Sequence, residues 1–141
     1  MGQGTNPYFF KTVVIEAGQS ITDAIDLYDA QGGILGPTGL AIDIPNGWTA
    51  ADIGIDIAQY ADPYDPESLT WLPLTGADGD AGARIKLTNV PTGRAVTAWF
   101  PVGLWAIGGR RYMRLVSLST SNELNAVNQV AERTLKLNFL S

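Results

Sequence analysis

Residues 109–119 (GRRYMRLVSLS) carry the clearest strand pattern in the chain. Met113, Leu115 and Ser117 fall on one face, and Tyr112, Arg114, Val116 and Leu118 on the other, because successive side chains point to opposite sides of a strand. Residues 133–140 (RTLKLNFL) repeat the pattern, with Leu135, Leu137 and Phe139 against Thr134, Lys136 and Asn138. Two further runs alternate as strictly. Leu40, Ile42 and Ile44 oppose Ala41 and Asp43, and Ile53, Ile55 and Ile57 oppose Gly54, Asp56 and Ala58. Shorter runs at 10–16, 70–74, 84–89 and 94–100 also read as strands, and Pro73 pushes the 70–74 run to a sheet edge. Residues 20–28 fit either a helical stripe (Ile21, Ala24, Ile25, Tyr28) or an alternating strand. The run is short and Gly32-Gly33 soon ends it, so the strand is preferred.

Turn chemistry separates these runs. Gly18-Gln19-Ser20, Pro45-Asn46-Gly47, residues 75–83 (TGADGDAGA) and Pro91-Thr92-Gly93 all punctuate the pattern, and Gly47 suits a positive φ. Trp48 is placed to cap the core as the chain returns. Residues 119–132 form a polar link. Leu124, Val127 and Ala131 would allow a helical turn there, but Asn122, Asn125 and Asn128 weaken it. About eight or nine short strands at this spacing predict an all-β antiparallel sandwich or barrel. The expected organisation is an extended N-terminal arm over 1–8 and one domain over 9–141.

Composition agrees with that architecture. The chain has 141 residues, 45% of them hydrophobic, with only 16% charged but 16 Gly and 8 Pro. That is enough chain for a real core. There is no Cys and no His, which removes disulfides, thiolate sites and the commonest general base. No apolar run reaches the length of a membrane span, and the N-terminus lacks the pattern of a signal peptide. The acidic total, with a pI near 4.4, disfavours nucleic acid as a partner. Charge is split along the chain: residues 1–83 hold one lysine against twelve acids, while residues 84–141 hold eight basic residues against two acids. Either the two parts interleave and neutralise each other, or opposite patches remain on the surface and pair between subunits.

Candidate chemistry is sparse. Asp78-Gly79-Asp80 lacks the downstream Glu of a calcium loop and reads as a turn. Asp62, Asp65 and Glu67 crowd one Pro-rich loop with no pocket implied. No base is at hand for a Ser nucleophile, and no G-x-S-x-G elbow is present. No catalytic residue, metal or cofactor is expected. Trp71 reads as core. Residues 99–105 (WFPVGLW) are uncharged and hard to bury completely. Trp99, Phe100, Leu104 and Trp105 are therefore partner-interface candidates, with Tyr64 and the cluster Arg110, Arg111 and Arg114. Tyr60, Tyr64, Trp99 and Trp105 form an alternative platform for a sugar.

Several strings resemble known families. Residues 53–58 (IGIDIA), an acidic loop and then 69–74 (LTWLPL), together with 109–115 (GRRYMRL), resemble segments of galactose-binding-like (discoidin-like) β-sandwiches. The resemblance implies an antiparallel β-sandwich of jelly-roll type, with Met113 and Leu115 as inward residues and 133–140 as the closing strand. Across the whole chain, 15–20 (IEAGQS), 45–53 (PNGWTAADI) and 128–137 (NQVAERTLKL) resemble small structural proteins of tailed bacteriophages. In one departure, the loop at 62–67 is longer and richer in Pro than the compact hairpin expected there. The phage resemblance implies a non-enzymatic virion protein, a capsid decoration or cement protein on the capsid surface. Its partners would be the major capsid protein, neighbouring virion subunits and further copies of itself in a dimer or trimer, with no nucleic acid or membrane. The alternatives are a head–tail or tail component and a carbohydrate-binding module.

Overall fold

The computed structural model describes residues 8–26, 39–60, 69–76, 83–100 and 112–140. Nine strands run in chain order: β1 (Tyr8–Ile15), β2 (Ile25–Asp26), β3 (Gly39–Ile44), β4 (Asp52–Tyr60), β5 (Leu69–Pro73), β6 (Lys86–Leu87), β7 (Val96–Trp99), β8 (Tyr112–Leu118) and β9 (Arg133–Leu140). They form two antiparallel sheets. Sheet A has the order β1-β9-β3-β7, and sheet B has β2-β8-β4-β5, with β6 also paired to β4. The pairs β1·β9, β2·β8, β3·β7 and β4·β5 are nested, as in one long hairpin. The pairs β9·β3 and β8·β4 appear when that hairpin rolls up on itself. This is a jelly-roll β-sandwich, a sandwich rather than the barrel that the alternation also allows.

The core follows from period-2 alternation. Ile42, Leu137 and Leu135 from sheet A face Ile53, Ile55, Met113 and Leu115 from sheet B, all essentially without solvent exposure. Each such side chain contributes roughly 1.5–3 kcal/mol when fully buried. The two best strand patterns in the sequence thus lie in different sheets, β8 inside B and β9 inside A. Trp48 is buried and donates its indole N–H to the Ala51 carbonyl at 3.1 Å, so it caps the core as expected. β1 is an edge strand, and exposed Lys11 lies opposite Leu137 in the register. A charge on the core-facing side of an edge blunts pairing with another chain.

Residues 20–26 are extended rather than helical. Ile21 bridges to Val116, and Ile25 pairs with Met113. β5 lies at the edge of sheet B, where Pro73 is tolerated. The link at 119–132 forms no helix; it runs along the end of β8 through a Leu118–Ala126 bridge. Tyr8, the last residue of the expected arm, opens β1, and residues 1–7 lie outside those described.

Candidate functional site

The strings at 15–20, 45–53 and 128–137 lie far apart in sequence but meet at one end of the sandwich. Their centre is Gln129, which is 0% exposed. Its Oε1 accepts from the Thr49 backbone N–H at 2.9 Å and from Arg133 Nε at 3.2 Å. Its Nε2 donates to the Thr49 carbonyl at 3.2 Å and to Ser117 Oγ at 3.0 Å. Those four bonds fill the capacity of a side-chain amide. The Gln129 backbone also accepts from Gly18 N–H and donates to the Gln19 carbonyl, both at 2.8 Å. Thr49 Oγ1 adds bonds from Val130 N–H and Arg133 Nη2. Gly47 has φ of 88°, and a Cβ there would come 3.3 Å from Arg133 Nη1. So the turn at 45–47 needs glycine both for its backbone and for the arginine beside it. The residues that look like motifs are a structural knot that closes one end of the fold.

The outer face of sheet B carries most of the described ion pairs. Asp56 sits between two guanidinium groups: Arg84 Nη2 binds one carboxylate oxygen, and Arg114 Nε binds the other at 2.9 Å. Lys86 Nζ lies 3.3 Å from Asp52 and 3.5 Å from Glu123. Arg114 also stacks over the Trp71 ring, 4.4 Å from its centroid. Gly54 makes room for this layer, since a Cβ there would lie 2.7 Å from Leu118 Cδ1 and 3.2 Å from Arg84 Nε. Here the acidic and basic parts of the chain neutralise each other within one subunit: Asp52 and Asp56 come from the first, and Arg84, Lys86 and Arg114 from the second.

The outer face of sheet A is open by contrast. The register puts Thr12, Lys136, Asp43 and Thr97 in one row across all four strands. The next row is Phe10, Asn138, Ala41 and Trp99. Trp99 is 63% exposed and Phe10 57%. Thr97 Oγ1 and Asp43 Oδ1 are hydrogen-bonded at 2.6 Å, and Lys136 Nζ lies 5.0 Å from the Phe10 ring centroid. A shallow depression of about 540 Å³ lies over this face, lined by Thr12, Asp43, Thr97, Thr134 and Lys136 among others.

Several expected site residues need correction. Phe100 is 6% exposed and belongs to the core, because alternation turns it inward when Trp99 points out, and its N–H bonds the Leu40 carbonyl. Arg114 is not a free contact residue, since Asp56 and Trp71 hold it. Trp71 is half-buried on the outer face of sheet B rather than in the core, since it pairs in register with Ala58, an outward position of β4. Leu104, Trp105, Arg110, Arg111 and Tyr64 lie outside the described residues, as does the Tyr60 side chain at the end of β4. Of the proposed interface and sugar-platform residues, Trp99 is the one that the described structure presents to solvent. Its neighbours Asp43, Thr97, Lys136 and Phe10 were not legible as a site, because only strand register brings them together. Among the described residues no cluster of three or more His, Cys, Asp or Glu is placed to hold a metal ion.

No known family profile matches the chain, and no curated protein does. Among solved structures it is similar to the crystal structure of SPBc2 prophage-derived protein YomS, at 13% identity and a TM-score of 0.47, over 99% of this chain and 100% of that one.

Proposed function

We propose that this chain is a non-enzymatic structural protein of a tailed-bacteriophage particle, sitting on the capsid surface and bridging major capsid subunits as a decoration or cement protein. What supports the reading is that the three strings that resemble such proteins form one hydrogen-bonded unit around Gln129. That unit joins residues about 80 positions apart in sequence. The buried carboxylates support it too. Asp52 and Asp56 are held by Lys86, Arg84 and Arg114, so they tie strands together rather than face a substrate. The particle-facing surface is assigned to the link at 119–132, beside the knot. Leu124 is 88% exposed there and Val130 77%, two large apolar side chains in solvent.

The mechanism is mass action. A protein that binds assembled capsid and not free subunits shifts the equilibrium toward the shell. Co-sedimentation tests this directly. The chain should pellet with expanded empty heads and not associate with unassembled capsid subunits, and the double variant Leu124→Ser, Val130→Ser should lose the pelleting while keeping its fold. Equal binding to free subunits contradicts the cement role.

A further inference from the structure

We infer that β7 is the seam of a two-fold dimer, in which two copies of this chain join sheet A to sheet A by antiparallel β7–β7 pairing. The other described edges carry devices against pairing with another chain. β1 has Lys11 on its core-facing side, β5 has Pro73, and β2 and β6 are two residues each. β7 has none of these. Residues 95–99 (AVTAW) hold no charge and no proline.

The backbone of β7 is set for such a partner. Phe100 N–H bonds the Leu40 carbonyl at 2.9 Å, so Phe100, Ala98 and Val96 turn their N–H and C=O groups toward β3. The same groups of Ala95, Thr97 and Trp99 point away from β3, because the direction alternates along an antiparallel strand. Among the described residues no strand pairs with that side.

The edge is also complementary to itself, as an isologous contact requires. With the axis at Thr97, Thr97 faces the second copy's Thr97, and Trp99 faces the second copy's Ala95. Each facing pair exchanges two hydrogen bonds. Trp99 is 63% exposed, and Ala95 is exposed and small, so the indole has room to lie across the facing strand and bury its ring. A register shifted by two residues sets Trp99 against Gly93, in the bend before β7, or Ala95 against Pro101, which has no N–H. Charge favours the same seam. Copies of a chain with net charge −5 repel each other. Here the seam is uncharged, and in the row beside it acidic Asp43 lies opposite basic Lys136. A ladder of this length is small for a permanent dimer, so the association is weak, with a Kd of roughly 10–100 µM.

The inference does not rest on the capsid reading, because the pairing needs the isolated chain alone. Sedimentation velocity of the full chain from about 1 µM to about 1 mM should show monomer passing to dimer. Hydrogen exchange reads the register. The Thr97 and Trp99 amides should exchange about threefold or more slowly in the concentrated sample than in the dilute one, while the Ala98 amide, bonded to β3, is protected in both. Thr97→Pro removes the donor at the axis, where the N–H does not serve β3, and should abolish the dimer. Trp99→Ala should weaken it about tenfold; its urea midpoint in dilute solution matches the parent, so it decides the matter if Thr97→Pro fails to fold. A monomer at every concentration overturns the inference. So does a dimer that survives these substitutions, or one that leaves the Thr97 and Trp99 amides unprotected, since either places the contact elsewhere. Protection of those amides only when expanded heads are added gives the edge to a capsid strand and overturns it as well. A dimer of the predicted register that does not pellet with heads supports the pairing and counts against the capsid role alone.

Discussion

The two outer faces of this sandwich hold similar side chains and use them in opposite ways. On sheet B, Asp56 is clamped between Arg84 and Arg114, and Arg114 lies over the Trp71 ring. On sheet A, Asp43 meets only a threonine hydroxyl among the described residues, and Trp99 stands in solvent. Both faces have an aspartate, a cation and a tryptophan. On sheet B, the absence of a side chain at Gly54 leaves the Arg84 guanidinium room over β4, where it pairs with Asp56. On sheet A, Asp43 has no guanidinium beside it among the described residues, and Lys136 lies over Phe10 instead. An ion pair held in the structure is committed to the fold, whereas an open row is available to a partner.

Removing the clamp should give the largest effect. Asp56→Ala leaves two guanidinium groups without their partner, one of them mostly buried, and should cost about 3–5 kcal/mol in urea unfolding. Arg114→Glu, which places a second carboxylate against Asp56, should destabilise the fold rather than leave it intact. Gln129→Leu keeps the side-chain volume but strips four hydrogen bonds from buried groups at the knot. A loss of about 2–4 kcal/mol is expected, since each buried group left unpaired costs about 1–3 kcal/mol before relaxation. Gly54→Ala should cost about 1–3 kcal/mol by overpacking against Leu118 and Arg84. Thermal unfolding of this variant also reads whether Arg84 has been displaced from the face. The smallest effect is on sheet A, where Trp99→Ala should change the unfolding free energy by no more than about 0.5 kcal/mol. A larger loss there would mean that Trp99 belongs to the fold.

The same contrast explains what the amino-acid sequence discloses. Strict alternation at 40–44, 53–57, 113–117 and 135–139 shows which residues face inward, because burial on one side of a strand leaves a period of two. Ser117 is the instructive exception: a polar residue at an inward position is buried because Gln129 Nε2 reaches it. Trp71 is misread because a large aromatic in a short strand looks like core, while its cover is an arginine from β8, more than forty residues later. Phe100 is misread because an uncharged run hides the turn from outward to inward. The charge split is legible as a difference between the two parts of the chain, but its resolution is not, because the strand pairing of β4 with β6 and β8 decides which charges meet. The open row on sheet A is invisible for the same reason. Thr12, Asp43, Thr97 and Lys136 are unremarkable singly and become a site only through register.

A pair of double-mutant cycles tests the central distinction between the faces most directly. One cycle combines Asp56→Ala with Arg84→Ala, and the other combines Asp43→Ala with Lys136→Ala, each read by urea unfolding of all four forms. The predicted coupling is about 2–3 kcal/mol for the sheet B pair and below about 1 kcal/mol for the sheet A pair. Equal couplings, or a larger one on sheet A, would contradict the account by showing that the open face is also committed to the fold.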